Sequence, residues 1–287
     1  MNLFGSNMLP MISKNAGGSL LLDAIAVNTA YSVRKLRTAY GGSCVRLRRS
    51  SDNAESDFGF SGNDLDVASI ASWLGANTGF LVTWYDQSGN GFNAIQATQG
   101  SQPQYIASGF GGKPSFRFDG VSDKLSAGAS PAQADAFTIC AVVATHKTAS
   151  YPMIACYGDS SVQGWNFGWD TAAGYKLTLN LMTATGAWVS DHYPQFASVA
   201  TADQGYRVVA WRNAGNSAVR QNGSEATDTG TTTAMVYGAA PQFVIGNQKA
   251  INTPEDRDIA ELLYFSAQCT NGELSNIDAS QSVYFGV

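Results

Sequence analysis

Residues 164–182 read GWNFGWDTAAGYKLTLNLM, and this stretch decides the predicted fold. Apolar and polar residues alternate along 165–169 and again along 176–182, and a Gly-containing break lies between the two runs. Successive side chains of a β-strand point to opposite faces, so a period of two indicates strands with one buried face. The stretch therefore predicts two strands of a β-sheet.

The same period continues through most of the chain after residue 80. Clusters of Gly, Asn, Asp or Ser separate these runs, which is typical of a sandwich or barrel of short antiparallel strands. Asn222-Gly223 fits a two-residue hairpin, because both central residues of a type I′ turn need positive φ. The sequence predicts a mainly β protein whose further strands cover residues 80–85, 115–118, 137–145, 153–157, 206–211, 218–221, 242–245 and 259–265.

A few short helices complete the expected fold. Residues 20–36 carry apolar residues at three- and four-residue spacing, which predicts a helix. Residues 64–74 predict a second helix that begins with Asp64 as its cap. Near the C-terminus, Thr270 and Glu273 form a T-x-x-E capping box ahead of a third apolar pattern, which predicts a closing helix.

Length and composition indicate one globular domain. The chain has 287 residues, of which 44% are hydrophobic and 14% are charged, and this is enough to bury one core. The formal net charge is −5, whereas a nucleic-acid-binding domain usually carries a basic face, so no nucleic-acid partner is expected. No apolar run approaches the length of a membrane span, so no membrane insertion is expected.

One basic cluster stands apart from this acidic balance. It could form a patch that binds polyanions, or it could lie along a strand at 44–48 whose outward side chains pair with Asp52, Glu55 and Asp57. We favour the strand, because the alternation is clean and the acidic residues follow at once. The cluster consists of Arg34, Lys35, Arg37, Arg46, Arg48 and Arg49.

The sequence predicts neither a metal site nor a cofactor. Asp256, Asp258 and Glu261 lie close together, but alternation would place them on a solvated face. The cysteines form no CxxC pair and no metal-ligand spacing, and they are expected to be reduced and partly buried. They are Cys44, Cys140, Cys156 and Cys269.

The N-terminal segment, residues 1–18, reads MNLFGSNMLPMISKNAGG and is interpreted as an arm. It has no basic start followed by a sustained apolar run, so no secretory signal is predicted and synthesis in a cytosol is expected. Its apolar residues alternate with breakers and show no sustained period. Such an arm is expected to dock on a neighbouring subunit or on the edge of its own domain, which would span residues 19–287.

A specific motif lies in residues 84–91, WYDQSGNG, and further segments stand on both sides of it. Together these segments resemble the catalytic domain of fungal-type α-L-arabinofuranosidase B. They resemble still more closely the arabinofuranosidase-like domain that recurs in bacteriophage structural proteins. The flanking segments are YSVRKL at 31–36, VRLRRSSD at 45–52, Asn93-Ala94, Gln102-Pro103 and KPSFRFDG at 113–120.

The resemblance covers residues 20–287 and implies a fold. The strand sequences at 137–143, 206–211 and 259–265 look like those of laminin-G-type jelly rolls. A concanavalin-like jelly-roll β-sandwich with a few short helices is therefore expected. Within the motif, Asp86 has two possible roles. Its carboxylate could accept backbone N–H groups of the turn that it opens, or it could contact a ligand directly.

The same resemblance implies where catalytic residues would lie. Retaining glycosidases need two carboxyl groups, which the family carries in a D-x-E-N motif on a central strand and a G-G-D-N motif late in the chain. Here Asn180 takes the Asp place, Met182 the Glu place, and Gln248 stands where the acid should be. The family's adjacent cysteine pair is reduced to Ala155-Cys156. Because neither a thioether nor an amide can replace a carboxylate, no catalytic residues and no enzymatic activity are predicted.

An aromatic cluster is the predicted ligand site. Flat rings stack on the apolar faces of sugars, while Asp and His side chains orient hydroxyl groups. The alternative is that the tryptophans fill the core, as large aromatic residues at alternate strand positions often do. The predicted ligand-binding residues, besides Asp86, are Trp165, Trp169, Trp188, Asp191 and His192, with Tyr193 beside them.

These observations lead to a functional expectation. The chain is expected to be a non-enzymatic bacteriophage virion protein, displayed on a tail or capsid and binding carbohydrate for host adhesion. Its expected partners are other virion proteins, reached through the arm, and host cell-surface glycans, and it is expected to form a homo-oligomer within the particle. The alternatives are an active glycoside hydrolase of the arabinofuranosidase type and a purely structural capsid decoration protein.

Overall fold

The computed structural model describes most of the chain outside the N-terminal arm. The structure describes residues 19–128, 135–146, 153–158, 164–170, 174–182, 194–213, 215–229, 235, 237–238, 240–247 and 256–287.

Short antiparallel strands make up most of the described chain. The first half contains β1 (Thr29–Ser32), β2 (Val45–Arg49), β3 (Glu55–Phe58), β4 (Phe60–Ser61), β5 (Asp64–Leu65), α1 (Val67–Leu74), β6 (Gly79–Trp84), β7 (Ala94–Ile95), β8 (Gln104–Ile106), β9 (Ser115–Asp119) and β10 (Leu125–Ser126). The second half contains β11 (Phe137–Thr145), β12 (Met153–Gly158), β13 (Gly164–Asp170), β14 (Lys176–Met182), β15 (Gln195–Val199), β16 (Gln204–Asn213), β17 (Asn216–Gln221), β18 (Ser224–Thr229), β19 (Gln242–Ile245), β20 (Asp256–Phe265) and α2 (Asn271–Phe285). Single 3-10 turns occur at Leu21–Asp23, Gln99–Ser101 and Phe110–Gly112.

Eighteen of the strands share one hydrogen-bonded network that folds over into two facing layers. One layer has the order β15-β14-β13-β12-β19-β10. The other has the order β20-β11-β16-β17-β18, with β1 and β9 sharing the free edge of β20. Strands β6, β7 and β8 connect the layers. The mainly β, jelly-roll-like sandwich expected from the sequence is confirmed.

Aromatic rings from both layers fill the space between them. Trp165 of β13 stacks on Phe137 of β11, with 5.1 Å between ring centroids, and on Tyr264 of β20 at 6.0 Å. Phe243 of β19 meets the same tryptophan at 5.9 Å. Because these rings come from four strands of two layers, they form the centre of the main core.

The opposite face of the second layer is covered by α2 and by the turn Leu21–Asp23. Cys140 of β11, Leu263 of β20 and Ile277 of α2 belong to this smaller apolar cluster, and all three are fully buried. Helix α2 begins with the predicted capping box, in which Glu273 N donates to Thr270 Oγ1 at 3.2 Å. The helix therefore forms a third layer outside the sandwich.

A buried ion pair attaches α2 to the second layer. Arg34 binds Glu261 of β20 through two hydrogen bonds, of 2.7 Å at Nε and 3.0 Å at the terminal nitrogen. Gln281 of α2 donates to the same carboxylate at 3.1 Å, and Arg34 donates to Ser280 Oγ at 2.9 Å. The solvated position expected for Glu261 is wrong. A buried carboxylate is tolerated here because its oxygens have charged and polar partners.

The predicted strands are confirmed, while the helices are corrected in part. Residues 20–36 contain a 3-10 turn and the strand β1 instead of a helix. All four residues of β1 are buried, since one face meets the core and the other meets the outer cluster. Helix α1 begins later than predicted, with Asp66 as its cap two residues after Asp64, because Asp64 and Leu65 pair with β4.

The structure also shows where the predicted hairpin, the basic cluster and the cysteines lie. The hairpin at Asn222-Gly223 is confirmed, with φ of 50° and 84°. Acidic partners are confirmed for Arg46, which binds Asp57 at 2.8 Å, and for Arg49, which binds Asp52 at 2.7 Å. Arg48 is instead buried, and its Nε donates to Gln102. The four cysteines are all buried and none of them forms a disulfide. No helix in the described ranges is long and apolar enough to cross a bilayer.

Substitution of Gly246 tests the packing of β19 against β9. This residue has φ of +85°, and a Cβ built on it would overlap the ring of Phe118. Gly246→Ala is expected to lower the free energy of unfolding by the left-handed strain of about 1–2 kcal/mol and by a further ~1–3 kcal/mol from overpacking. Gly62→Ala is the matched control, because its φ is +64° and its Cβ would meet open space. If Gly246→Ala and Gly62→Ala lowered the free energy of unfolding equally in urea denaturation, this packing would be contradicted.

Candidate functional site

The polar face of the first layer is the candidate site. Residues directly opposite each other in an antiparallel ladder point to the same face. Cys156 of β12 lies opposite Asn166 of β13, which lies opposite Asn180 of β14. Thr178 lies opposite Gly168, two residues further along the two strands and on the same face. Since the intervening residues Phe167 and Leu179 belong to the core, this row lies on the side away from it.

The polar groups of this face are buried. Asn166 is 4% exposed and Asn180 is 7% exposed. Two neighbours use their polar atoms internally: Thr178 Oγ1 donates to Gly168 O at 3.3 Å, and Cys156 Sγ donates to Asn247 O at 3.4 Å. The Nδ2 group of Asn166, in contrast, has no hydrogen-bond partner among the described residues. An unpaired buried donor costs about 1–3 kcal/mol, so its retention requires an explanation.

Few charges lie on this face. Among the residues of β12, β13, β14 and β19, the acidic one is Asp170, which ends β13 opposite Lys176. Asn180 occupies the expected strand, and Met182 ends it opposite Gly164. Gln248 lies outside the described residues. An amide both donates and accepts hydrogen bonds, so the described part of the face is suited to binding hydroxyl groups.

The prediction that Trp165 and Trp169 bind a ligand is wrong. Both are fully buried on the core face of β13, and Trp169 stacks on Tyr175 with 6.4 Å between centroids. The alternation that places Asn166 outward places these two rings inward, so neither offers a face to a sugar. Of the other predicted ligand-binding residues, Trp188, Asp191 and His192 lie outside the described residues, as does Tyr193.

Asp86 has a structural role in its turn. It is 3% exposed, and its Oδ1 accepts the backbone N–H groups of Ala30 and Ser88, each at 2.9 Å. Its Oδ2 accepts Ser88 Oγ at 2.6 Å and the N–H of Phe92 at 3.1 Å. Four donors saturate the carboxylate, so the prediction of a ligand contact is wrong and the alternative role as a turn residue is confirmed.

Sequence reasoning missed the residue that best marks the site. Asn166 lies within the run of alternating residues, one position from Trp165. The signal was the small or polar residue between successive aromatic ones. A strand that buries Trp, Phe and Trp on one face must present Asn and Gly on the other.

Comparisons with known proteins agree with the fold. No family model and no curated protein matches this sequence. Among solved structures, the chain is similar to an arabinofuranosidase complexed with arabinofuranosyl-α-1,2-xylobiose, at a TM-score of 0.63 and 16% identity. It is also similar to a GH54 α-L-arabinofuranosidase soaked with a cyclic sulfate inhibitor, at a TM-score of 0.65 and 15% identity. Both likenesses cover 88% of this chain and 62% of the other.

The chain is also similar to a toxin domain. The receptor-binding domain of botulinum neurotoxin type G superposes with a TM-score of 0.51 at 15% identity, over 69% of this chain and 48% of that one. At these identities the comparisons establish a shared β-sandwich architecture. The chain spans less than two thirds of the length of each of these three proteins.

Proposed function

We propose that this chain is a non-enzymatic carbohydrate-binding domain whose sugar site is the polar face of β12, β13, β14 and β19. The observation that carries the proposal is the buried, unpaired Nδ2 group of Asn166. Because the amide is buried, a sugar must uncover it on binding; a sugar hydroxyl would then accept its hydrogen bond and remove the cost of an unpaired donor. The likeness to an arabinofuranosidase complexed with an arabinofuranosyl oligosaccharide supports a sugar as the ligand.

The side chains on the described part of this face support binding without hydrolysis. A retaining glycosidase places its two carboxyl groups about 5–5.5 Å apart across the bond that it cleaves. Asn166 and Asn180 face each other across the centre of β13 and β14, and neither can act as a nucleophile or as a general acid. Asp170 lies at the end of its strand, where Lys176 is its cross-strand neighbour. The amides would orient hydroxyl groups and leave the glycosidic bond intact.

Substitution of Asn166 tests the proposed site. The wild-type chain is expected to bind at least one sugar on a glycan array that includes arabinofuranosyl-substituted xylobiose. Asn166→Leu is expected to weaken that binding about two- to tenfold, since a hydrogen bond contributes roughly 0.5–1.5 kcal/mol and about 1.4 kcal/mol is a factor of ten. The free energy of unfolding is expected to stay unchanged or rise, because the variant removes an unpaired buried donor.

Thr178→Val is the matched control on the same face. Its hydroxyl already bonds Gly168 O, so this change should lower stability more than affinity. Calorimetric titration and urea denaturation of both variants separate the two effects. An array on which the wild-type protein binds nothing, or an Asn166→Leu variant with full affinity, would refute the proposal.

We further propose that the domain is displayed on a bacteriophage particle, where it binds host glycans. The resemblance of residues 84–91 to the phage domain supports this role, and the apolar residues 1–18 would attach the domain to other virion proteins. Deletion of residues 1–18 is expected to leave the melting temperature of the domain nearly unchanged and to abolish its incorporation into the particle. Normal incorporation of the truncated chain, measured by mass spectrometry of purified particles, would show that the arm is not the attachment.

A further inference from the structure

A second polar cluster surrounds His146, which directly follows β11. Its Nδ1 lies 2.6 Å from Asp203 Oδ1, in the turn between β15 and β16. Its Nε2 lies 3.2 Å from Asp258 Oδ1 on β20 and 3.1 Å from a terminal nitrogen of Arg117 on β9. The imidazole therefore bridges two carboxylates that belong to different parts of the chain.

The two carboxylates differ in how much they depend on the histidine. Asp258 is 3% exposed and has other partners, since Arg117 binds both of its oxygens at 2.8 and 3.1 Å and Ser115 Oγ donates to it at 3.0 Å. The Asp203 side chain is 77% exposed, and His146 is its ion-pair partner. Asp256 is the remaining acidic residue of this cluster, at 3.8 Å from Arg117. Loss of the imidazolium would thus affect Asp203 most.

The turn that Asp203 occupies is held mainly by backbone hydrogen bonds, including one from Thr201 N to the Tyr206 hydroxyl at 2.6 Å. Asp203 has φ of +61°, a left-handed conformation that is unfavourable for most residues but that Asp and Asn tolerate better than others. Its N–H donates to Thr145 O at 2.7 Å, and Ala200 N donates to Tyr175 O at 3.1 Å. The preceding strand, β15, pairs with β14, where Val199 lies opposite Lys176. The contact of Asp203 with His146 therefore ties an edge of the first layer to β11 and β20 of the second.

We propose that His146 is a pH-operated latch that fastens the β15–β16 turn to the second layer. In its protonated form the imidazole donates one N–H to Asp203 and the other to Asp258. In its neutral form Nε2 accepts from Arg117, so the single remaining N–H is on Nδ1 and still donates to Asp203. The charge-assisted hydrogen bond to Asp258 is then lost, and so is the attraction of the imidazolium for Asp203. The turn opens more readily as a result.

The direction of the pH dependence follows from the surroundings of the ring. The hydrogen bond to Asp258 raises the pKa of His146 above its ordinary value, partial burial opposes this, and the bond to Asp203 raises the pKa further. The pKa of Asp258 is lowered by His146 and Arg117 against the effect of its burial. A raised histidine pKa contributes stability in full below the ordinary value of about 6.5 and loses it as pH rises through the raised value.

Hydrogen exchange of the Asp203 amide in the full chain tests the latch. After correction for the intrinsic exchange rate, protection of this amide is expected to fall as pH rises from 5.5 to 9, by about tenfold for each unit that separates the folded and ordinary pKa of His146. The amide of Ile139, in the middle of β11, reports global unfolding and should stay protected.

Two variants make the test specific to His146. His146→Gln and Asp203→Asn should each reduce protection at low pH and make it independent of pH. Asp203→Asn changes an exposed side chain, so it serves if the first variant does not fold. The chain has one other histidine, His192, and His192→Gln should retain the wild-type profile. A flat wild-type profile, or a pH dependence that persists in Asp203→Asn, would overturn the proposal.

Discussion

The alternation of side chains along β13 is the constraint on which the rest of the structure depends. Successive residues of a strand must point to opposite faces, so Trp165, Phe167 and Trp169 enter the core together. Asn166 and Gly168 are then forced onto the other face, opposite Asn180 and Thr178 of β14. A shift of one residue would exchange the two sets and destroy both the core and the site.

The first layer buries unpaired N–H donors of two kinds, indole and amide, and the free-energy cost of leaving them unpaired is offset differently in each. The indole N–H groups of Trp165 and Trp169 have no partner among the described residues. A buried aromatic ring covers about 150–250 Å², worth roughly 4–6 kcal/mol at about 25 cal/mol per Å², against a penalty of ~1–3 kcal/mol for the unpaired group. The small amide of Asn166 has no comparable apolar area, so packing does not explain it, and a ligand would.

Much of the fold could be predicted from the sequence, because its signals are local. Alternation marked the strands, the Thr270–Glu273 pair marked the start of α2, and Asn222-Gly223 marked a hairpin. β1 was read as a helix because burial on both faces removes the alternation. The solvated position expected for Glu261 was wrong because its partner, Arg34, is 227 residues away in the chain.

The candidate site was less predictable, because the surroundings of its side chains come from residues far apart in the chain. The correct strand was found, but the large aromatic rings drew the prediction to its inner face, although the polar residues between them marked the outer one. Asp258 was likewise expected in solvent, although Arg117, 141 residues away, binds it in a buried position. Both errors concern the surroundings of a side chain, which sequence periodicity alone does not define.

The polar face of the first layer is proposed to bind sugar without cleaving it. Release of 4-nitrophenol from 4-nitrophenyl α-L-arabinofuranoside, followed at high protein concentration, tests this claim most directly. We predict no release above that of buffer, because amides occupy the centre of the face where hydrolysis would need carboxylates. Turnover that is abolished by Asp170→Asn, or by loss of another carboxylate near this face, would contradict the account.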